Sequence, residues 1–172
     1  MIKKANKGKI GSTHDKVMTP PEIAKQIINW LPINKGDTLL DPCKGKGAFF
    51  DNFPKGTSWS YCEIDEGLDF FEWPDNNKVD WIITNPPYSI FDAFLEKSFK
   101  VADNVCFLCP LPKAISSMGR IRQYAAYGGV PKMWIMSASK CGFPFGFPAA
   151  AIWFKRGFRG NTRIEIDSRK GG

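Results

Sequence analysis

The sequence predicts a single α/β domain built on a mostly parallel sheet that helices cover on both faces. Three observations predict it. Apolar runs of strand length alternate along the chain with amphipathic stretches of helical period. A chain of 172 residues that is 43% hydrophobic holds one core and is short for two. The run Trp81 to Thr84 is apolar without alternation, as a strand buried on both faces requires.

Taken in order, residues 1–16 are rich in Lys and Gly and read as a flexible basic arm. Residues 17–160 form the folded domain, and 161–172 read as a polar basic tail. "TPPEIAKQIINWL" opens a helix. Thr19 is placed to cap it, Pro20 suits its first turn, and Glu22 completes a capping box three residues after Thr19. Ile23, Ile27, Trp30 and Leu31 give that helix one apolar face. "DTLLDP" follows as a short strand, "GAFFDNF" as a short helix, "SWSYCEID" as a second strand and "KVDWIITN" as a third. "SIFDAFLEKSFKVA" is a helix with Phe91, Phe94, Leu95 and Phe99 on one side, and "NVCFLCPL" is the next strand. A basic helix over "KAISSMGRIRQYAAYG" precedes strands in "VPKMWIMSA" and "AAAIWFKRG".

The net charge of +7 is unevenly placed. The 61 residues between Asp103 and Glu165 carry nine Lys or Arg and no acid, which favours a surface facing a polyanion such as nucleic acid. Lys113, Arg120, Arg122 and Lys140 are the candidates for phosphate contacts. Five scattered cysteines, an odd number, argue for reduced thiols. Cys106 and Cys109 form a CxxC inside an apolar strand and read as core rather than as a metal site. No run reaches the ~20 apolar residues that span a bilayer. A soluble chain of the cytoplasm of a bacterial or phage-infected cell is expected.

Open parallel sheets bind ligands at the carboxyl ends of their strands, beside the point where strand order reverses. Three strand ends carry chemistry. "DPCKGKGAF" places Gly45 and Gly47 between a strand and a helix, where backbone can approach a nucleotide-like ligand. Glu63 lies 18 residues after Gly45, near the spacing at which a carboxylate accepts hydrogen bonds from ribose hydroxyls, with Asp65 as competitor. Asp69 can accept from an adenine amino group while Phe70 packs on the ring. The third strand ends in "NPPY": Asn85, Pro86, Pro87 and Tyr88. Prolines remove donors and fix φ, so this cluster is stiff and rich in acceptors. A side-chain amide oxygen beside a rigid carbonyl suits an exocyclic NH2 group, and a tyrosine ring can stack on the base bearing it.

"DPCKGKGAF", "EID", "DFF" and "NPPY", in that order after "TPPEIA", resemble the class I S-adenosylmethionine-dependent N6-adenine DNA methyltransferases. The likeness covers about residues 16–110 well and the rest loosely. It implies a Rossmann-like fold with a mostly parallel seven-stranded sheet, reduced between the second and third strands, and S-adenosylmethionine as cofactor. By resemblance, Thr19, Pro20, Asp41, Pro42, Gly45 and Gly47 lie at the cofactor's methionine part, Glu63 and Ile64 at its ribose, and Asp69 with Phe70 at its adenine. Asn85 and the Pro86 carbonyl accept from the target N6, Tyr88 stacks on the extruded adenine, and Phe143, Phe145 or Phe147 faces it from the other side. The chain departs from the family pattern in carrying Lys44 and Lys46 in the glycine loop. Only five residues separate Glu63 from Asp69, and no separate target-recognition domain follows residue 155. The resemblance implies DNA as partner, with specificity open to a partner subunit, and no metal or membrane. RNA or single-stranded DNA, a protein glutamine, or a non-catalytic nucleic-acid-binding role are the alternatives.

Overall fold

The computed structural model describes residues 17–167; the expected basic arm, 1–16, and the chain beyond 167 lie outside the described residues. The first helix, α1 (Pro21–Trp30), buries Ile23, Ala24, Ile27 and Ile28. It starts differently from the capping box expected of Thr19 and Glu22. Pro20 is the N-cap, no side chain caps the turn, and the Pro20 carbonyl accepts from Ile23 and Ala24. Pro21, not Pro20, takes the first-turn position, where its missing N–H would be unpaired anyway. Thr19 is drawn away by a bond across the fold, described below.

Seven strands, β1 (Thr38–Asp41), β2 (Ser58–Tyr61), β3 (Val79–Thr84), β4 (Ala102–Pro110), β5 (Gly128–Met136), β6 (Ala149–Arg156) and β7 (Arg163–Ile166), form one sheet. Their order is β2-β1-β3-β4-β6-β5-β7. β6 runs antiparallel to both neighbours and every other pairing is parallel. The chain leaves β1 for β2 on one side and returns to β3 on the other. Strand order therefore reverses between β1 and β3, and a crevice opens at their carboxyl ends.

One face of the sheet carries Phe107 and Phe154, which meet Phe91 of α2 (Phe91–Val101) and Tyr124 of α4 (Met118–Tyr127) at ring separations of 5.7 and 4.6 Å. On the other face Trp81 and Trp153 pack 5.6 Å apart, and Trp134 meets Trp30 of α1 at 6.1 Å. Between β2 and β3 the chain makes only two short 3₁₀ turns, as the five-residue spacing of Glu63 and Asp69 implies. β2 is left at an edge, with Trp59 exposed.

Two expectations change. The basic helix is two helices, α3 (Leu111–Ile115) and α4, because the Ser117 hydroxyl accepts from the Arg120 N–H and starts a new N-terminus. The polar tail contains β7, which pairs with β5 and closes that side of the sheet. Its Ile164 and Ile166 are largely exposed while Glu165 turns to the Trp30 indole, so no apolar run marked the strand.

Candidate functional site

The turn after β1 is shaped by a buried carboxylate. Asp41 accepts from the Cys43 N–H at 3.2 Å and from the Thr84 hydroxyl at 2.8 Å, tying the glycine loop to the end of β3. Complete burial outweighs these bonds and pushes its carboxyl up to about 7. Asp41 lies beneath the crevice and does not line it, so it supports the loop instead of reaching toward a ligand's methionine part. Gly45 and Gly47 both have positive φ. At Gly47 a Cβ would fall 2.8 Å from the Asp51 carboxylate, so the missing side chain lets Asp51 close onto the loop. Lys44 points its ammonium to Glu66 at 2.8 Å and over the Tyr61 ring at 3.8 Å, where its charge is compensated.

After β2, Glu63 accepts from the N–H of Gly45 at 2.6 Å and of Asp65 at 3.1 Å. It bridges two strand ends, and each oxygen keeps lone-pair capacity toward the crevice. Asp69 accepts from the Phe71 N–H and starts a 3₁₀ turn that presents Phe70 and Phe71. Phe70 is buried, while Ile64, Leu68 and Phe71 are exposed.

Asn85 sits at the end of β3 in a closed set of bonds. Its Nδ2 donates to the Val17 carbonyl at 3.1 Å and to the Thr19 hydroxyl at 3.2 Å, and its Oδ1 accepts from the Tyr88 hydroxyl at 2.6 Å. The Val17 carbonyl can only accept, which fixes the amide with its oxygen toward Tyr88. The N-terminal segment is held there by close packing. Gly142, at φ +74°, brings its Cα so near the Met18 carbonyl that a Cβ would lie 2.7 Å away.

These three ends enclose a cavity of about 600 Å³. Thr19, Pro20, Pro42, Gly45, Glu63, Ile64, Asp69, Phe70, Asn85 and Pro87 all line it, while Asp41, Gly47, Pro86 and Tyr88 do not. Met18, Asp51, Leu68, Phe71, Ile90 and Phe94 are wall residues that sequence reasoning missed. Asp51 carried a signal four residues after a glycine of the loop, and Phe71 carried one as the second aromatic of "DFF". Its lining mixes apolar side chains, Ile64, Leu68, Phe70 and Phe71 among them, with the carboxylates of Asp51, Glu63, Asp65 and Asp69.

On the far side of Tyr88 lies a second cleft of about 310 Å³, lined by Tyr88, Pro110, Pro112, Lys113, Phe145 and Phe147. Of the three late phenylalanines, Phe143 is buried edge-on to Tyr88 at 5.9 Å. Phe145 and Phe147 face the cleft as a stacked pair, centroids 5.1 Å apart and 15° from coplanar. Pro110 ends β4 and Pro112 follows it in α3, and both line the cleft, residues that the sequence held in "PLP". The basic candidates separate. Lys113 stands at the cleft and Arg122 is exposed. Arg120 is buried and spans both oxygens of Asp92 while bonding the Lys113 carbonyl, and so is committed inside the protein. Lys140 pairs with Asp167 at 3.0 Å. Cys106 and Cys109 are buried, and three residues apart on one strand they point to opposite faces. No helix among the described residues is long and apolar enough to cross a membrane, and no cluster among them could hold a metal ion.

No protein-family model and no curated relative matches the chain. Solved structures do. The chain is similar to a Listeria monocytogenes protein assigned to the class I S-adenosylmethionine-dependent methyltransferases, with TM-score 0.73 and 12% identity over 92% of this chain and 68% of that one. It is similar to the methyltransferase subunit of a type I restriction-modification system from Streptococcus thermophilus, with TM-score 0.68 and 16% identity, covering 95% of this chain and 50% of the subunit. A Pyrococcus horikoshii protein assigned as an RNA methyltransferase aligns with TM-score 0.61 and 15% identity over 83% of this chain and 88% of that one. The chain thus spans about half the length of the restriction-modification subunit. With its sheet order and strand-end crevice, the chain has the Rossmann-like class I methyltransferase fold.

Proposed function

We propose that the chain transfers a methyl group from S-adenosylmethionine to the N6 amino group of an adenine in DNA. The observation that carries this reading is the position of "NPPY". Asn85 lines the large cavity, and Tyr88, bonded to it, lines the cleft beyond. One turn therefore contributes to both the large cavity and a cleft of aromatic character.

In this reading Glu63 holds the cofactor's ribose hydroxyls, Ile64, Asp69 and Phe70 hold its adenine, and the 17–20 segment with Asp51 holds its methionine end. Bound there, S-adenosylmethionine supplies an electrophilic methyl on a sulfonium. The protein must position the acceptor in line with it and make an amine nucleophilic. Asn85 Oδ1 is aimed by the two bonds that anchor its Nδ2. The target amine displaces the Tyr88 hydroxyl from that oxygen and donates its second hydrogen to the Pro86 carbonyl. Both bonds favour a pyramidal nitrogen and stabilise the positive charge that develops on it. Asn85 takes no proton, which leaves to water. Tyr88, released, stacks on the base and returns ~1–3 kcal/mol of the few kcal/mol that extruding a base from a duplex costs.

The test is transfer of tritiated methyl from S-adenosylmethionine to unmethylated duplex DNA, single-stranded DNA, RNA and protein, with chromatography of digested product. Label in N6-methyldeoxyadenosine is expected. Label in RNA or a protein glutamine overturns the substrate assigned here. Asn85→Ala is expected to lose at least ~100-fold in transfer, as when a charge-stabilising group is removed, while cofactor binding by calorimetry survives. Full activity in that variant overturns the mechanism.

A further inference from the structure

The stacked pair Phe145 and Phe147 borders two clefts. On one side is the cleft shared with Tyr88. On the other is a cleft of about 440 Å³ lined by Ile135, Ser137, Ser139, Pro148 and Asp167 together with the same two phenylalanines. The pair is thus a ridge, with Phe147 43% exposed at its crest and Phe145 packed against the core at its base. We infer that the second cleft is a subsite for the nucleobase next to the target adenine, so that the substrate strand crosses the ridge with two consecutive bases splayed apart.

This rests on the proposed function and adds the form of the substrate. Flat rings available on both sides favour nucleobases, every one of which has a face to stack. The second cleft also has polar groups for a base edge. The Ser137 and Ser139 hydroxyls are exposed and lie 2.7 Å apart, while the Asp167 side chain is 5% exposed and bound to Lys140. A backbone crossing the crest would pass the first cleft, where Lys113 supplies a cation for a phosphate. Neighbouring bases of an intact duplex are stacked on each other and cannot take opposite sides of a ridge. An unpaired strand meets that requirement without melting, and so is the better substrate.

The experiment uses the full chain and short single-stranded deoxyoligonucleotides with one adenine, either intact or abasic at the residue immediately 5′ or 3′ of it. Methyl transfer and fluorescence anisotropy are both read. An abasic residue on one side, not the other, is expected to raise KM and Kd about tenfold, the loss of one stacked base. Ser137→Trp fills the second cleft from an exposed position. It is expected to bind the intact strand about tenfold more weakly and to be indifferent to the abasic change. Ser139→Trp, also exposed, serves if the first variant misfolds. Transfer without neighbour dependence, or to duplex as well as to single strand, overturns this inference alone. No transfer to any oligonucleotide, with cofactor bound, overturns the proposed function and the subsite with it.

Discussion

At the scale of single residues, the site is organised by groups that bond to one another before any ligand arrives. Asn85 is held by Val17, Thr19 and Tyr88, and Glu63 by two backbone N–H groups. Asp41 shows what burial does to such a group. Its carboxyl, ordinarily at 3.8, is raised to about 7. The folded protein therefore keeps a proton that the unfolded chain releases, and the stability this gives is full below pH ~4 and lost as pH rises to ~7. Asp41→Asn keeps an oxygen for Cys43 and Thr84 but has no charge to bury. It is expected to match the native protein at pH 4 and to exceed it above pH 7 by up to roughly 4 kcal/mol, at about 1.4 kcal/mol per pKa unit. Melting temperatures across pH 4 to 8 check this, and parallel curves would refute it. The candidate residues that line the cavity were legible because their spacing along the chain sets them at strand ends. The bond from Thr19 to Asn85 was not, since 66 residues separate them.

At the scale of elements, burial separates two tryptophans on the strands either side of β1. Trp59 of β2 and Trp81 of β3 are both strand tryptophans, and both neighbour Leu39 of β1 in register. Trp59 is 54% exposed at a sheet edge, while Trp81 is 2% exposed and donates from its indole to Asp37 at 2.9 Å. Trp81→Ala is expected to cost about 3–5 kcal/mol and Trp59→Ala under ~1 kcal/mol. Denaturant unfolding of the two variants measures the contrast, and equal losses would mean that β2 is buried in solution. The same distinction explains β7. Its polar-apolar alternation lasts only four residues and leaves both isoleucines exposed, and pairing with the edge of β5 makes those residues a strand.

At the scale of the whole molecule, the acid-free stretch is real in sequence but only partly available on the surface. Arg120 and Lys140 are engaged internally, while Lys113 and Arg122 remain toward solvent or the cleft. Lys113→Ala and Arg122→Ala are each expected to weaken single-strand binding and to reduce the slope of log K against log salt by about 0.7. Arg120→Ala is expected to lower the melting temperature and leave that slope unchanged. Anisotropy titrations at several salt concentrations decide it, and a changed slope for Arg120→Ala would return that residue to the binding face.

The sequence by itself determined the fold class, the strand ends that meet at the crevice and ten of the residues lining the cavity. Those follow from local period, from proline and glycine stereochemistry, and from spacings of a few tens of residues. Only the tertiary structure decided which basic residues stay free, that Asp41 supports the loop from below, that β7 joins the sheet, and that Phe145 and Phe147 rather than Phe143 face a cleft. Each of these depends on what a side chain meets from distant parts of the chain. Burial and cross-fold hydrogen bonds are set by packing, which neither composition nor periodicity encodes.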